Sequence, residues 1–174
     1  VKCPSLAQHL AGTKKVQQAL AVEDVLEGFS SAKHAALLRA SFAALYGLEE
    51  DGGAQVEAAV QRAIETPSAF VLKPQREGGG NNLYGDELKE SLMKFSPQER
   101  AAYVLMDRIQ PPSKTATLVR GGESIVGACV CELGIYGTIL TNGEGATIFQ
   151  NTPGHLLRQK SLGVCLLYTS DAAD

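Results

Sequence analysis

The chain has 174 residues, 44% of them hydrophobic and 20% charged, with a formal net charge of −3. That is enough apolar content for one packed domain or one piece of a larger one, and the acidic balance argues against a nucleic-acid binder, which is usually basic. No apolar run approaches the roughly 18 residues that a membrane-spanning helix needs, and an N-terminus of Val1-Lys2-Cys3-Pro4, with neither initiator Met nor signal-like stretch, reads as a chain entered mid-gene.

Residues 1–68 read as a mostly helical part. Ser5–Leu10 and Lys14–Ala21 are short helical patches separated by Gly12 and Thr13. Lys33–Tyr46 carries Leu38, Phe42 and Leu45 at helical spacing, with Gly47 as a stop. Glu49-Glu50-Asp51-Gly52-Gly53 is a turn, and a helix over about Ala54–Glu65 places Val56, Val60, Ala63 and Ile64 on one face before Pro67 ends it. His9 and His34 sit in helical patches as surface residues.

Residues 69–163 change texture. Ala69–Leu72 is a short apolar run between prolines, the mark of a buried strand, and a Gly/Asn-rich loop follows to Gly85. Leu88, Leu92 and Phe95 mark a helix, and Ser96-Pro97-Gln98-Glu99 has the form of a capping box. Ala102–Met106 is a predicted strand. Ala116–Arg120 and Glu123–Leu133 form two more across the Gly121-Gly122 turn. Ile135–Leu140 is read as a separate strand, turning at Thr141-Asn142-Gly143 into Ala146–Phe149. The fold class expected is α+β, a mostly antiparallel sheet with flanking helices. Cys129 and Cys131 lie two apart in an apolar run and are read as reduced core residues, not metal ligands, which points to a reducing compartment.

The loop from Lys73 to Gly85 carries the chemistry. A strand delivers Lys73, Gly78, Gly79 and Gly80 can bring backbone N–H groups close to an anion, Arg76 adds a guanidinium, and Glu77 and Asn82 add hard oxygens of the kind Mg²⁺ prefers. A nucleotide triphosphate with its metal fits this set; so does a surface loop with incidental charges. The spacing matches neither a Walker loop nor a dinucleotide fingerprint.

The segment Phe70-Val-Leu-Lys-Pro-Gln-Arg-Glu-Gly-Gly-Gly-Asn-Asn-Leu-Tyr-Gly85 resembles the glycine-rich segment of eukaryotic-type glutathione synthetases. Four other segments resemble the same family in the same order: Leu10–Gln18, Tyr103–Ile109, Cys131–Gly137 and Gly154–Lys160. The resemblance implies an ATP-grasp fold and an ATP-dependent ligase. ATP phosphorylates the terminal carboxylate of γ-glutamylcysteine, and the amine of glycine displaces phosphate from the acyl phosphate, giving glutathione and ADP. It also implies Mg²⁺ as cofactor, a cytoplasmic setting, a homodimer for the full-length parent, small-molecule substrates, and neither nucleic acid nor membrane as partner.

Carried over by position, the resemblance implies that Lys14 and Lys73 contact ATP phosphates and that Glu77 holds Mg²⁺. Gly78, Gly79, Gly80, Asn81 and Asn82 form the phosphate cradle, and Tyr84 contacts ATP. Met106, Asp107, Arg108 and Ile109 receive adenine, with Asp107 where the family usually has Glu. Glu132 and Lys160 contact ATP, and Arg158, placed with the catalytic machinery, holds a substrate carboxylate in a bidentate fork. Without the resemblance, Lys14 reads first as a solvated helix lysine, Met106 as core, and Arg158 with Lys160 as a basic helix or loop end.

The resemblance further implies that other Mg²⁺ ligands and most of the γ-glutamylcysteine site lie in an N-terminal region outside this chain, and that a Gly/Ala-rich lid belongs after Lys160. Residues 164–174 are expected to be non-native: Cys165–Asp174 reads as the in-frame translation of a transposase-library adapter. A piece of this kind is expected to be inactive by itself. The alternatives are a nucleotide-binding module without ligase activity, or a related ligase using another amino acid in place of glycine.

Overall fold

Ser5 opens the first helix. Its hydroxyl accepts the Gln8 N–H while the Gln8 side chain accepts the Ser5 N–H, a capping box on α1 (Leu6–Ala11). The computed structural model describes residues 5–75 and 81–162. Gly12 and Thr13 separate α1 from α2 (Lys14–Ala21), as the sequence predicts.

α3 is Ala32–Arg39, shorter than the expected helix Lys33–Tyr46. Leu45, Tyr46 and Gly47 instead form β1 (Leu45–Gly47), which pairs antiparallel with β4 (Tyr103–Asp107). The helical spacing of Leu38, Phe42 and Leu45 is a weak local preference, and strand pairing overrides it. Leu38 and Phe42 stay 45% and 41% exposed, so the stripe buries little. Gly47 is not a helix stop. It lies where α2 approaches the sheet, and a Cβ there would collide with the Glu49 carboxylate and the Gln18 amide.

α4 (Gly53–Glu65) runs close to its predicted span, and Pro67 then opens a short 3-10 turn, Pro67–Ala69. The chain continues through β2 (Phe70–Pro74), β3 (Leu83–Tyr84), α5 (Gly85–Lys94) and α6 (Pro97–Arg100). Gly85 starts α5 at φ +50°, a conformation that favours glycine. At α6 the predicted capping box is present: the Ser96 hydroxyl accepts the Glu99 N–H, and the Glu99 carboxylate accepts the Ser96 N–H at 2.8 Å.

The first sheet is wholly antiparallel in the order β1-β4-β2-β3. Side chains alternate between its faces. Phe70, Leu72 and Leu105 pack with Val60 and Ala63 of α4 and Leu88 and Leu92 of α5 in one core. Leu72, Leu88 and Leu105 are each fully buried, and a buried leucine contributes roughly 1.5–3 kcal/mol. The expected division at residue 68 therefore runs through this core, because α4 shares it with β2. The chain divides instead into two units, Val1–Ile109 and Gln110–Asp174.

The second unit is an antiparallel sheet in the order β5-β6-β7: β5 (Ser113–Arg120), β6 (Glu123–Thr141) and β7 (Thr147–Ser161). Gly121 and Gly122 turn β5 into β6 at φ +59° and +84°, the two positive values that a tight hairpin requires. The two strands expected at Glu123–Leu133 and Ile135–Leu140 are one. Gly134 stays in the ladder opposite Leu156, and irregularity is confined to register shifts at Tyr136/Thr138 and Leu140/Thr141. β7 likewise runs well past Phe149, so Arg158 and Lys160 stand on a strand, not at a helix or loop end. Cys129 is buried, as expected, but Cys131 is exposed, and both are free thiols. The β5 ladder reaches to Val130, so from Cys131 onward, among the described residues, β6 has β7 on one side alone.

Candidate functional site

Register decides which of the predicted side chains meet. Residues directly opposite in an antiparallel pair lie on the same face. Val71 stands opposite both Tyr84 and Met106, and Lys73 opposite Val104. Lys73, Tyr84 and Met106 therefore share one face of the sheet, the face away from Phe70, Leu72 and Leu105 and the helices packed on them. Val71 and Val104 are buried on this face and form its floor. Arg108, two residues beyond Met106, returns to it, with its guanidinium 5.9 Å from the Tyr84 ring centroid. Asn82 donates from Nδ2 to the Tyr84 hydroxyl at 3.4 Å, and Asn81 is exposed beside it.

Lys73 is half-buried near the end of β2. Burial first, and the charge of Lys14 second, push its pKa below the ordinary lysine value. The fold thus brings together the two lysines that the resemblance assigns to phosphates, although they are far apart in the chain. A desolvated ammonium beside a second cation carries an electrostatic cost that an anion removes. Arg76, Glu77, Gly78, Gly79 and Gly80 lie outside the described residues, as does the 164–174 segment. Among the described residues no group of three or more His, Cys, Asp and Glu is placed to hold a metal ion.

The end of β4 presents backbone. The Asp107 N–H donates to the Ala44 carbonyl at 3.0 Å and the Arg108 N–H to the Ala69 carbonyl at 2.8 Å. The Ile109 amide has no backbone hydrogen-bond partner among the described residues, and its side chain is exposed. Asp107 and Met106 stand on different faces of the sheet. The Asp107 carboxylate sits on the opposite face from Lys73 and Met106, where Oδ1 accepts the Tyr46 hydroxyl at 3.2 Å. Side chains alternate along a strand, so Met106 and Asp107 cannot both face a ligand on one side. Tyr46 is the residue that sequence reasoning missed. The available signal was the strand-forming pair Leu45-Tyr46 ahead of Gly47, masked by the helical spacing before it.

In the second unit, Glu132 stands opposite Arg158 in the β6–β7 register, and Lys160 follows on the same face of β7. The Glu132 carboxylate forms an ion pair with the Arg158 guanidinium and lies 3.7 Å from Lys160 Nζ. Lys160 stands opposite buried Val130, and its Nζ is itself buried without a hydrogen bond among the described residues. A carboxylate at the end of an apolar run needs partners, and it has two cations. The arrangement places Arg158 and Lys160 side by side on one face of β7 with Glu132 as their shared counter-charge. His9 and His34 are exposed, as expected.

Residues 3–164 match the family described as eukaryotic glutathione synthase, ATP binding domain. The chain is 48% identical over 167 residues to glutathione synthetase of Bos taurus and 45% identical over 165 residues to that of Homo sapiens, covering 93% and 92% of this chain. It is 46% identical over 164 residues to chloroplastic glutathione synthetase of Solanum lycopersicum, covering 92% of this chain. These matches cover 34%, 34% and 29% of the relatives, so the chain spans about a third of the length of the curated relatives it matches. Among solved structures, a glutathione synthetase-like effector from Globodera pallida in apo form aligns with a TM-score of 0.66 over 88% of this chain and 32% of that chain. At 23% identity, that likeness is one of fold.

Proposed function

The chain belongs to the eukaryotic glutathione synthase family through its ATP-binding domain, and we propose that it serves there as the nucleotide-holding part of an ATP-dependent ligase that joins glycine to γ-glutamylcysteine. Its α+β architecture is that of an ATP-grasp fragment, and ATP is the nucleotide of the matched domain. The observation that carries the reading is the gathering of Lys73, Tyr84 and Met106 on one sheet face, with Lys14 close enough to lower the Lys73 pKa.

In this reading Lys14 and Lys73 neutralise the triphosphate. Gly78, Gly79, Gly80, Asn81 and Asn82 cradle it, and Tyr84 packs against the nucleotide. Met106 covers the base, and the backbone at Arg108 and Ile109 meets its edge. Glu132 and Lys160 complete the ATP contacts, and Arg158 grips the carboxylate of the dipeptide. Mg²⁺, held by Glu77 in the full-length enzyme, would offset phosphate charge. The γ-phosphoryl group passes to the dipeptide carboxylate, the glycine amine attacks the acyl carbon, and phosphate leaves, so that glutathione, ADP and phosphate are the products. The chain's part in lowering the barrier is positioning and charge stabilisation. We place the full-length enzyme in the cytoplasm as a homodimer.

A chimera tests this. Residues 5–162 replace the matching third of the Bos taurus relative, and product is assayed with γ-glutamylcysteine, ATP and either glycine, serine or β-alanine. Glutathione from glycine is the expected product. A folded chimera that makes none would leave a nucleotide-binding module, and a preference for another amino acid would make the parent a related ligase.

A further inference from the structure

We propose that Tyr46 is a positioning residue for the nucleotide base: through its hydrogen bond to Asp107 it fixes the backbone of Arg108 and Ile109 as the edge on which the base is read. This rests on the ATP reading above and assigns a role to a residue outside the carried-over set.

Tyr46 is held from several sides. Its backbone is in register with Leu105, its ring meets Phe70 edge-on at 6.2 Å, and the Arg62 guanidinium of α4 lies 5.0 Å from the ring centroid. The hydroxyl so positioned donates to Asp107 Oδ1 at 3.2 Å. Asp107 is the last residue of β4. Beyond it the Arg108 N–H bond to Ala69 ties the backbone down before the Ile109 amide, which has no backbone hydrogen-bond partner among the described residues. Where that amide points is therefore set by how Asp107 and Arg108 are held, and Tyr46 holds the Asp107 side chain from the opposite face of the sheet.

The chemistry of the edge gives the consequence. A backbone N–H selects a base that offers an acceptor at the matching ring nitrogen, as adenine does, over guanine, which carries N–H there. A site with its donor in place penalises the wrong base by leaving polar groups unpaired. The Asp107 carboxylate is thus engaged behind the site, acting on the base through the backbone and not by contact.

The test uses the 174-residue chain with Y46F, D107N, D107A and the double variant Y46F/D107A. Hydrogen exchange of the Arg108 amide is followed without nucleotide, and affinities are measured for ATP, GTP and inorganic tripolyphosphate. Y46F keeps the ring and its packing, so the fold is preserved. It is expected to speed Arg108 exchange, weaken ATP about three- to tenfold, the range of one net hydrogen bond, narrow the ATP-over-GTP preference, and leave tripolyphosphate affinity unchanged. D107N retains an acceptor and is expected to stay near wild type, whereas D107A matches Y46F and the double variant is no worse than either. Equal loss of ATP and tripolyphosphate, or unchanged ATP affinity and exchange in Y46F, overturns the inference while leaving the ATP reading intact. Absence of ATP binding in the wild-type chain overturns both.

Discussion

At the scale of single residues, the candidate site sets a partly buried lysine within reach of a second cation. Burial and Lys14 lower the Lys73 pKa. The unfolded chain therefore binds more protons than the folded one between the lowered value and the ordinary lysine value, and stability rises with pH across that window. K73M removes the charge and with it that slope. Its melting temperature at neutral pH is expected to equal or exceed wild type, and urea unfolding compared at about pH 8 and pH 10 should show a smaller gain in the variant. A steeper gain would contradict this account. Glu132 shows the converse case. E132A leaves Lys160 Nζ buried without its counter-charge, so a melting temperature roughly 2–4 °C lower is expected, with E132Q, which keeps a hydrogen-bond acceptor, losing less. These residues were legible one by one as chemistry, from Lys73 at a strand end to Glu132 closing an apolar run. Their company was not, because Lys14 and Lys73 meet only through tertiary structure and Glu132 meets Arg158 only through strand register.

At the scale of elements, local signals held where the local interaction is itself the stabilising one. The Ser96–Glu99 box is complete within four residues, and it forms as read. Bonds from the Ser96 N–H, then from its hydroxyl, hold the Glu99 pKa below the ordinary glutamate value. Their contribution is present above that ordinary value and fades as pH falls through the lowered one. S96A is therefore expected to lower the thermal midpoint by about 2–4 °C near neutrality, with the deficit shrinking in acid, and a scan of melting temperature against pH reads this directly. Periodicity failed where pairing with distant chain decides the outcome. The run to Tyr46 has helical spacing, but Leu45, Tyr46 and Gly47 gain a partner in β4. Gly134 looks like a break in isolation, yet it stays in the ladder opposite Leu156, and the polar stretch around Asn151 shifts the register without ending either strand. The same register put Asp107 on the sheet face opposite Met106, beside Tyr46, a fact no linear motif carries.

At the scale of the whole molecule, the two units differ in how well they bury themselves. The first has a core shared by α4, α5 and the sheet. In the second, Leu133, Ile135, Ile139 and Ile148 are 60%, 64%, 52% and 65% exposed on β6 and β7, which is the character of a surface meant to be covered. The chain is expected to bind a hydrophobic dye and to self-associate as concentration rises. Light scattering that reports a monodisperse monomer, with one cooperative melt and no dye binding, would count against this. No helix among the described residues is long and apolar enough to cross a membrane. The central claim is that the face bearing Lys73, Tyr84 and Met106 is an ATP site, and calorimetric titration of MgATP into the wild-type chain and K73M tests it most directly. The account predicts saturable binding that K73M weakens about tenfold or more, the scale of one charge-assisted contact, without loss of thermal stability; no binding, or equal affinity in the two chains, would contradict it.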